Sequence, residues 1–95
     1  MISLSVAGYS LSIKTAAMDE IETMSVKRDR QRVVRPIAAL ATEPRPRGCE
    51  KLTGATSVYR VRQGPYRIIY LVDDAARTVD VLKVGHRREV YRRGT

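Results

Sequence analysis

Apolar and polar positions alternate at period two over Tyr9–Lys14, the pattern of a half-buried strand. The period then lengthens. Ala17, Ile21 and Met24 recur at helical spacing, and Thr15 is placed to cap that helix. Asp19, Glu20 and Glu22 are expected near its start, where the helix macrodipole favours acids. A second helix is predicted from about Val26 to Ala41. Val33, Val34, Ile37, Ala38, Leu40 and Ala41 form its apolar stripe, and Lys27, Arg28, Arg30, Arg32 and Arg35 line the other side. With Ser25 near the turn, the two helices make an αα-hairpin. Pro36 removes a backbone donor, so it is expected to kink or split the second helix. The prolines and glycine of Glu43–Gly48, "EPRPRG", then end it.

Period two returns in the second half. Val58–Arg62 reads as a strand, with Arg60 and Arg62 on one face. Gln63-Gly64-Pro65 is a turn. Tyr66–Val72, "YRIIYLV", is apolar on both faces, as a central strand is. Asp73–Arg77 forms a hairpin loop, and Thr78–Val84, "TVDVLKV", is the next strand. Connections this short require antiparallel neighbours. The expected fold class is α/β in the α+β sense: an N-terminal strand, an αα-hairpin, then a three-to-four-stranded antiparallel sheet with both helices on one face. One domain is expected over residues 1–95, with 1–8 as a possible extension.

Size and charge narrow the function. A chain of 95 residues buries only about 60–65% of its unfolded surface, so a shallow surface site is expected, not a deep cofactor pocket. Fourteen arginines and four lysines face ten acids, a net charge of +8. Residues 51–95 hold ten of the cations against four acids, so the cationic surface belongs mainly to the second half. Arginine forks match phosphate oxygens in pairs, which points to polyanionic partners. The lone Cys49 builds no disulfide framework, and a reducing cytoplasm is the expected setting. No apolar run reaches the roughly 18 residues a membrane helix needs, and no charged segment precedes the mildly apolar Met1–Ala17, so neither membrane insertion nor secretion is expected.

The cations converge when laid on the predicted strands. Arg60, Arg62, Arg67 and Arg87 are expected on one sheet surface, Lys83 shares the parity of Arg87, and Arg88 adds a further phosphate contact. His86 and Tyr91 fall at the rim. A face lined with like charges is unfavourable by itself and tolerable once a polyanion fills it. RNA is cut without metal when its 2′-OH attacks the adjacent phosphate. That reaction needs a base, an acid and cations for the phosphorane. Arginines supply the cations, and His86, with an ordinary pKa of about 6.5, is a candidate base or acid. Tyr91 can take part only if cations depress its pKa. No metal-ligand cluster, Ser-His-Asp pattern or Gly-rich phosphate loop is present in the pattern, so no metal or other cofactor is expected.

The stretch Lys51–Arg92 resembles the RelE branch of the RelE/ParE toxin superfamily. The pieces that carry the likeness are "KLTG", "YRVRQGPYRIIY", "VDD" and "VLKVGHRREVYR", with the upstream helical hairpin and "LATEPRPRG" in the matching place. It spans roughly Tyr9–Arg92. The resemblance implies a RelE-like fold and a ribosome-dependent endoribonuclease that cleaves mRNA in the A site. It implies neutralisation by a cognate antitoxin, expected to be acidic and partly disordered, and contact with operator DNA only as the toxin–antitoxin complex. Residue by residue, it implies a catalytic and phosphate-binding basic pair at Arg60 and Arg62, where the best-known member has lysines, one of them a proposed general base; arginine deprotonates far less readily. It further implies transition-state stabilisers at Arg67 and Arg87, a base-stacking or proton-transferring tyrosine at Tyr91, and an acid/base role for His86. Two other readings stay open: a gyrase-inhibiting toxin of the ParE branch, and a catalytically silent antitoxin- or nucleic-acid-binding relative.

Overall fold

The computed structural model describes residues 8–24, 26–52 and 57–86. In chain order the elements are β1 (Ser10–Ile13), α1 (Thr15–Glu22), α2 (Lys27–Ala39), β2 (Glu50–Lys51), β3 (Val58–Gln63), β4 (Tyr66–Asp73) and β5 (Thr78–His86). The expected meander of β3, β4 and β5 is antiparallel throughout. Gly64, at φ +58°, followed by the fixed φ of Pro65, closes the β3–β4 hairpin between Gln63 and Tyr66. At the other hairpin Asp73 Oδ1 accepts the Ala76 N–H at 3.0 Å. β4 is the central strand of the five, ordered β1-β5-β4-β3-β2, as its doubly apolar pattern predicts.

Two features of the sheet add to the expectation. β1 lies parallel to β5, with Leu11 opposite Val79 and Ile13 opposite Val81, so the sheet is mixed. Parallel neighbours need long intervening chain, which the helices and the meander supply. The two-residue β2 pairs antiparallel with β3 and makes a fifth strand. Two residues carry no readable period.

Both helices pack on one side. Ala17 and Ile21 of α1 and Val33 and Ile37 of α2 meet Ile68, Tyr70 and Val72 of β4 and Val79, Val81 and Val84 of β5, with Leu40 beside them. Each of the valines, isoleucines and the leucine contributes roughly 1.5–3 kcal/mol by leaving water. Four details of the helices differ from the pattern reading. Lys14, not Thr15, holds the cap position of α1, and its side chain makes no capping bond. No acid occupies the first turn of α1; Asp19, Glu20 and Glu22 fall in its second half. Val34 is 47% exposed and Ala38 is exposed, because Val33, Ile37, Leu40 and Ala41 alone share the face toward the sheet. α2 is also a single helix across Pro36, so the split, one of the two outcomes expected there, does not occur. The missing N–H forfeits one helical bond to Arg32, but buried Val33 and Ile37 anchor the turns on either side.

A polar network fastens the end of the sheet remote from the β3–β4 turn. The Tyr9 N–H donates to the Ala41 carbonyl at 2.7 Å, and a Cβ at Gly8 would collide with that same oxygen. Tyr9 Oη donates to Asp74 Oδ1 at 2.6 Å. Arg45 grips Asp74 with two bonds, of 3.1 and 2.8 Å, and donates Nε–H to Tyr59 Oη at 3.0 Å. Buried Tyr70 donates its hydroxyl to the Pro44 carbonyl at 2.8 Å, and burial pushes its pKa upward. The bonds from Arg45, then from Tyr9, hold the Asp74 carboxyl below the usual carboxylate range. A depressed folded-state pKa stabilises fully above the unfolded value of about 3.9 and fades as pH falls through the folded one. Asp74→Asn is therefore expected to melt below wild type at pH 6, with the gap closing as pH is lowered toward about 3. Thermal melts across that range check this; a gap independent of pH would remove the carboxylate charge from the account.

Candidate functional site

The pleat of β4 divides its side chains between two faces. Ile68, Tyr70 and Val72 point to the helices, so Arg67, Ile69 and Leu71 belong to the opposite face. Directly opposed residues share a face. One row across the sheet is therefore Glu50, Arg60, Ile69 and Lys83, and the next is Arg62, Arg67 and Gly85. The rows lie about 7 Å apart along the strands, within reach of one phosphodiester. The structure thus brings Arg60, Arg62 and Arg67 together as the strand parity predicts. Gly85 adds no side chain beside Arg67.

The environments differ. Arg67 is buried, at 4% exposure, a rare state for an arginine. Arg60 donates to Glu50 Oε2 at 2.9 Å, while Arg62 approaches Glu50 Oε1 at 3.5 Å, so one carboxylate bridges both guanidiniums. The Nε–H of Arg60 is buried and finds no acceptor among the described residues. A buried donor left unmet costs about 1–3 kcal/mol, and an anionic oxygen would recover it. The Glu50 carboxylate is half exposed, so its pairing contributes only about 0–1 kcal/mol.

Lys83 sits in the outer row, but its ammonium is held by Glu20 Oε2 at 2.7 Å. His86 closes β5 opposite Tyr66 in the register. Tyr66 donates to Asp29 Oδ2 at 3.2 Å; burial, then that carboxylate, raises its pKa and removes it as a base. Arg87, Arg88 and Tyr91 lie outside the described residues, as does the second half of the "KLTG" piece. Pattern reading missed Glu50 and Glu20. A signal for Glu50 exists in the chain: it is the sole acid between Glu43 and Asp73, in a segment rich in arginine.

Comparison with known proteins bears on this arrangement. Residues 12–91 match the family described as "ParE toxin of type II toxin-antitoxin system, parDE". Toxin RelG of Mycobacterium tuberculosis is 46% identical over 35 residues, an alignment covering 37% of this chain and 40% of that protein, about two fifths of the relative's length. Among solved structures, the RelE–RelB complex of the archaeon Pyrococcus horikoshii OT3 superposes with a TM-score of 0.74 at 28% identity, covering 84% of this chain and 96% of that one. The toxin–antitoxin complex RelBE2 of Mycobacterium tuberculosis gives a TM-score of 0.74 at 29% identity over 85% and 100% of the two chains.

The bridging carboxylate generates a binding prediction. Glu50→Gln removes a competitor from Arg60 and Arg62 and adds one net positive charge to the face. A short single-stranded RNA is expected to bind the variant several-fold more tightly at low salt, and its log-affinity against log-salt slope should steepen by about 0.7. Fluorescence anisotropy over a salt series measures both. Unchanged affinity and slope would show that the carboxylate does not compete for the polyanion.

Proposed function

We propose a function from one premise: the chain belongs to the ParE toxin family of type II toxin–antitoxin systems, within the RelE/ParE superfamily. It is a toxin of such a system with a cognate antitoxin as its partner. Beyond that, it acts as a metal-independent endoribonuclease that cuts mRNA in the ribosomal A site and so stops translation in the cytoplasm. The observation that carries this reading is the outer sheet face, where Arg60 and Arg62 share the Glu50 carboxylate, Arg67 stands opposite Arg62, and Arg60 keeps a buried donor with no acceptor among the described residues.

The chemistry follows from the charges. Arg60, Arg62 and Arg67 take the phosphate oxygens and stabilise the extra charge of the phosphorane. Taking them releases Glu50, the carboxylate among them, to accept the proton of the 2′-OH. The 2′-oxygen bonds to phosphorus, and the bond from phosphorus to the 5′-oxygen breaks. The products are a 2′,3′-cyclic phosphate and a 5′-hydroxyl. The 5′-oxygen takes a proton from an acid, a role for His86 or Tyr91 that the family likeness supports, with Arg87 and Arg88 adding charge. A site this shallow depends on the ribosome to align the mRNA. The antitoxin is acidic and folds on contact, and the joint complex binds operator DNA.

The matched family is described for its ParE member, which favours a second reading: a toxin acting on gyrase through the same fold. Cleavage mapping separates the two. Ribosomes programmed with a defined mRNA receive wild type, Arg67→Ala, Glu50→Gln or Tyr91→Ala protein, with naked mRNA as control. Cuts are expected in the A-site codon alone. Arg67→Ala should slow single-turnover cleavage by about 10²–10³-fold. Glu50→Gln should bind RNA more tightly yet cut at least about tenfold more slowly; faster cutting would leave Glu50 as a competitor only. Intact mRNA in every lane, with melts showing folded protein, would sink the nuclease, and a replication block without mRNA loss would favour gyrase.

A further inference from the structure

We propose that Glu20 is a positioning residue for this reaction, fixing the last stretch of β5 in the register that sets Gly85 opposite Arg67. The inference rests on the nuclease reading. The sheet is weak along this stretch. β1 pairs with Thr78–Val81 only, and the last bond on that side runs from the Lys14 N–H to the Val81 carbonyl at 2.8 Å. Beyond Val81, β5 has no strand along its outer edge among the described residues.

At the same point the inner edge is irregular. Tyr70 opposes Val81 but Ile69 opposes Lys83, so Leu82 is an extra residue on β5. Such a bulge loosens the ladder and re-aims the side chains beyond it. Strict alternation from Val79 and Val81 would send residue 83 to the core. The bulge instead gives that place to Val84, which is 1% exposed, and moves Lys83 to the outer row. A slip of one residue here, with the bulge lost, would exchange the faces of the rest of the strand and set Val84, not Gly85, beside Arg67.

Glu20 reaches this point with both oxygens. Oε1 accepts the Val84 N–H at 2.9 Å, and Oε2 accepts the Lys83 ammonium at 2.7 Å. Consecutive residues just past the bulge are thus held by one carboxylate from α1, which stands in for the missing strand. The helix itself does not favour an acid there, since Glu20 lies toward the negative end of the α1 dipole. The stretch it holds leads directly to chemistry: Gly85 faces Arg67, His86 ends the strand, and Arg87 is the next residue in the chain.

The test compares wild type with Glu20→Ala, Glu20→Asp and Glu20→Gln on programmed ribosomes, alongside amide exchange at Val84 and Gly85 and thermal melts. Glu20→Gln keeps an oxygen for the Val84 N–H and is expected to cut near the wild-type rate. Glu20→Ala, and Glu20→Asp with its shorter reach, should expose the Val84 amide. They should cut on the order of 10- to 100-fold more slowly at saturating toxin, with the half-saturating concentration unchanged. The Asp variant keeps the test open if Ala fails to fold. Wild-type cutting rates in folded Ala and Asp variants, or a Gln variant no better than Ala, would overturn the proposal. Wild type that cuts nothing would overturn the nuclease reading instead, and Val84 exchange would still report whether Glu20 holds the strand end.

Discussion

β4 alternates Ile68, Tyr70 and Val72 toward the helices with Arg67, Ile69 and Leu71 away from them, and hydrogen-bonded partners on both sides lock that alternation. Everything else depends on this ladder. The inward set supplies the middle of the core. The outward set aligns Arg60, Arg62 and Arg67 across two strands without any loop having to find a conformation. Because the period of a strand is two, burying Ile68 and presenting Arg67 are one event, and no slip can preserve one while losing the other. A thin domain gains from this economy, since the residues that stabilise it are the ones that aim its chemistry.

The acids then decide which cations are available. Glu50 bridges Arg60 and Arg62, Glu20 holds Lys83, and Asp74 holds Arg45. On α2 the balance is different: Lys27, Arg28, Arg30, Arg32 and Arg35 meet no ion-pair partner among the described residues, and the one acid of that helix, Asp29, accepts a bond from Tyr66. Like charges three and four residues apart weaken a helix by a few tenths of a kcal/mol per pair. The buried face of α2 outweighs that penalty, and the surplus charge leaves the helix surface strongly cationic.

Much of this was legible in the chain. Alternation marked β1, β3 and β5, a doubly apolar run marked the central strand, and the spacing of Arg60 and Arg62, with Arg67 just past the turn, put all three on one face. Failures fell where the deciding contact is distant in sequence. Nothing near Ser10 announces that β1 docks parallel on Thr78–Val81, and nothing near Glu50 connects it with Arg60 except the scarcity of other acids. Pro36 read as a kink or a split because the rule is local, while the burial of Val33 and Ile37 that keeps α2 one helix across it is tertiary. The acids of α1 read as dipole partners, whereas Glu20 answers to β5. The bulge at Leu82 is silent in the pattern, since Val81, Leu82 and Val84 fit either parity.

The two carboxylates missed by pattern reading share a logic. A site made only of guanidiniums can bind a phosphate and steady a phosphorane, but no guanidinium accepts a proton at neutral pH. On the proposed reading, an anion among the arginines supplies that acceptor, provided it is held weakly enough to leave them when a phosphate arrives. Glu50 meets both conditions: it is half exposed and sits on a strand of two residues at the sheet edge. Glu20 has the opposite task and the opposite setting, with shorter contacts, a helix behind it and only 25% of its side chain exposed. On the proposed reading, the exposed carboxylate on the edge strand answers to substrate and the fixed one beside β5 to register.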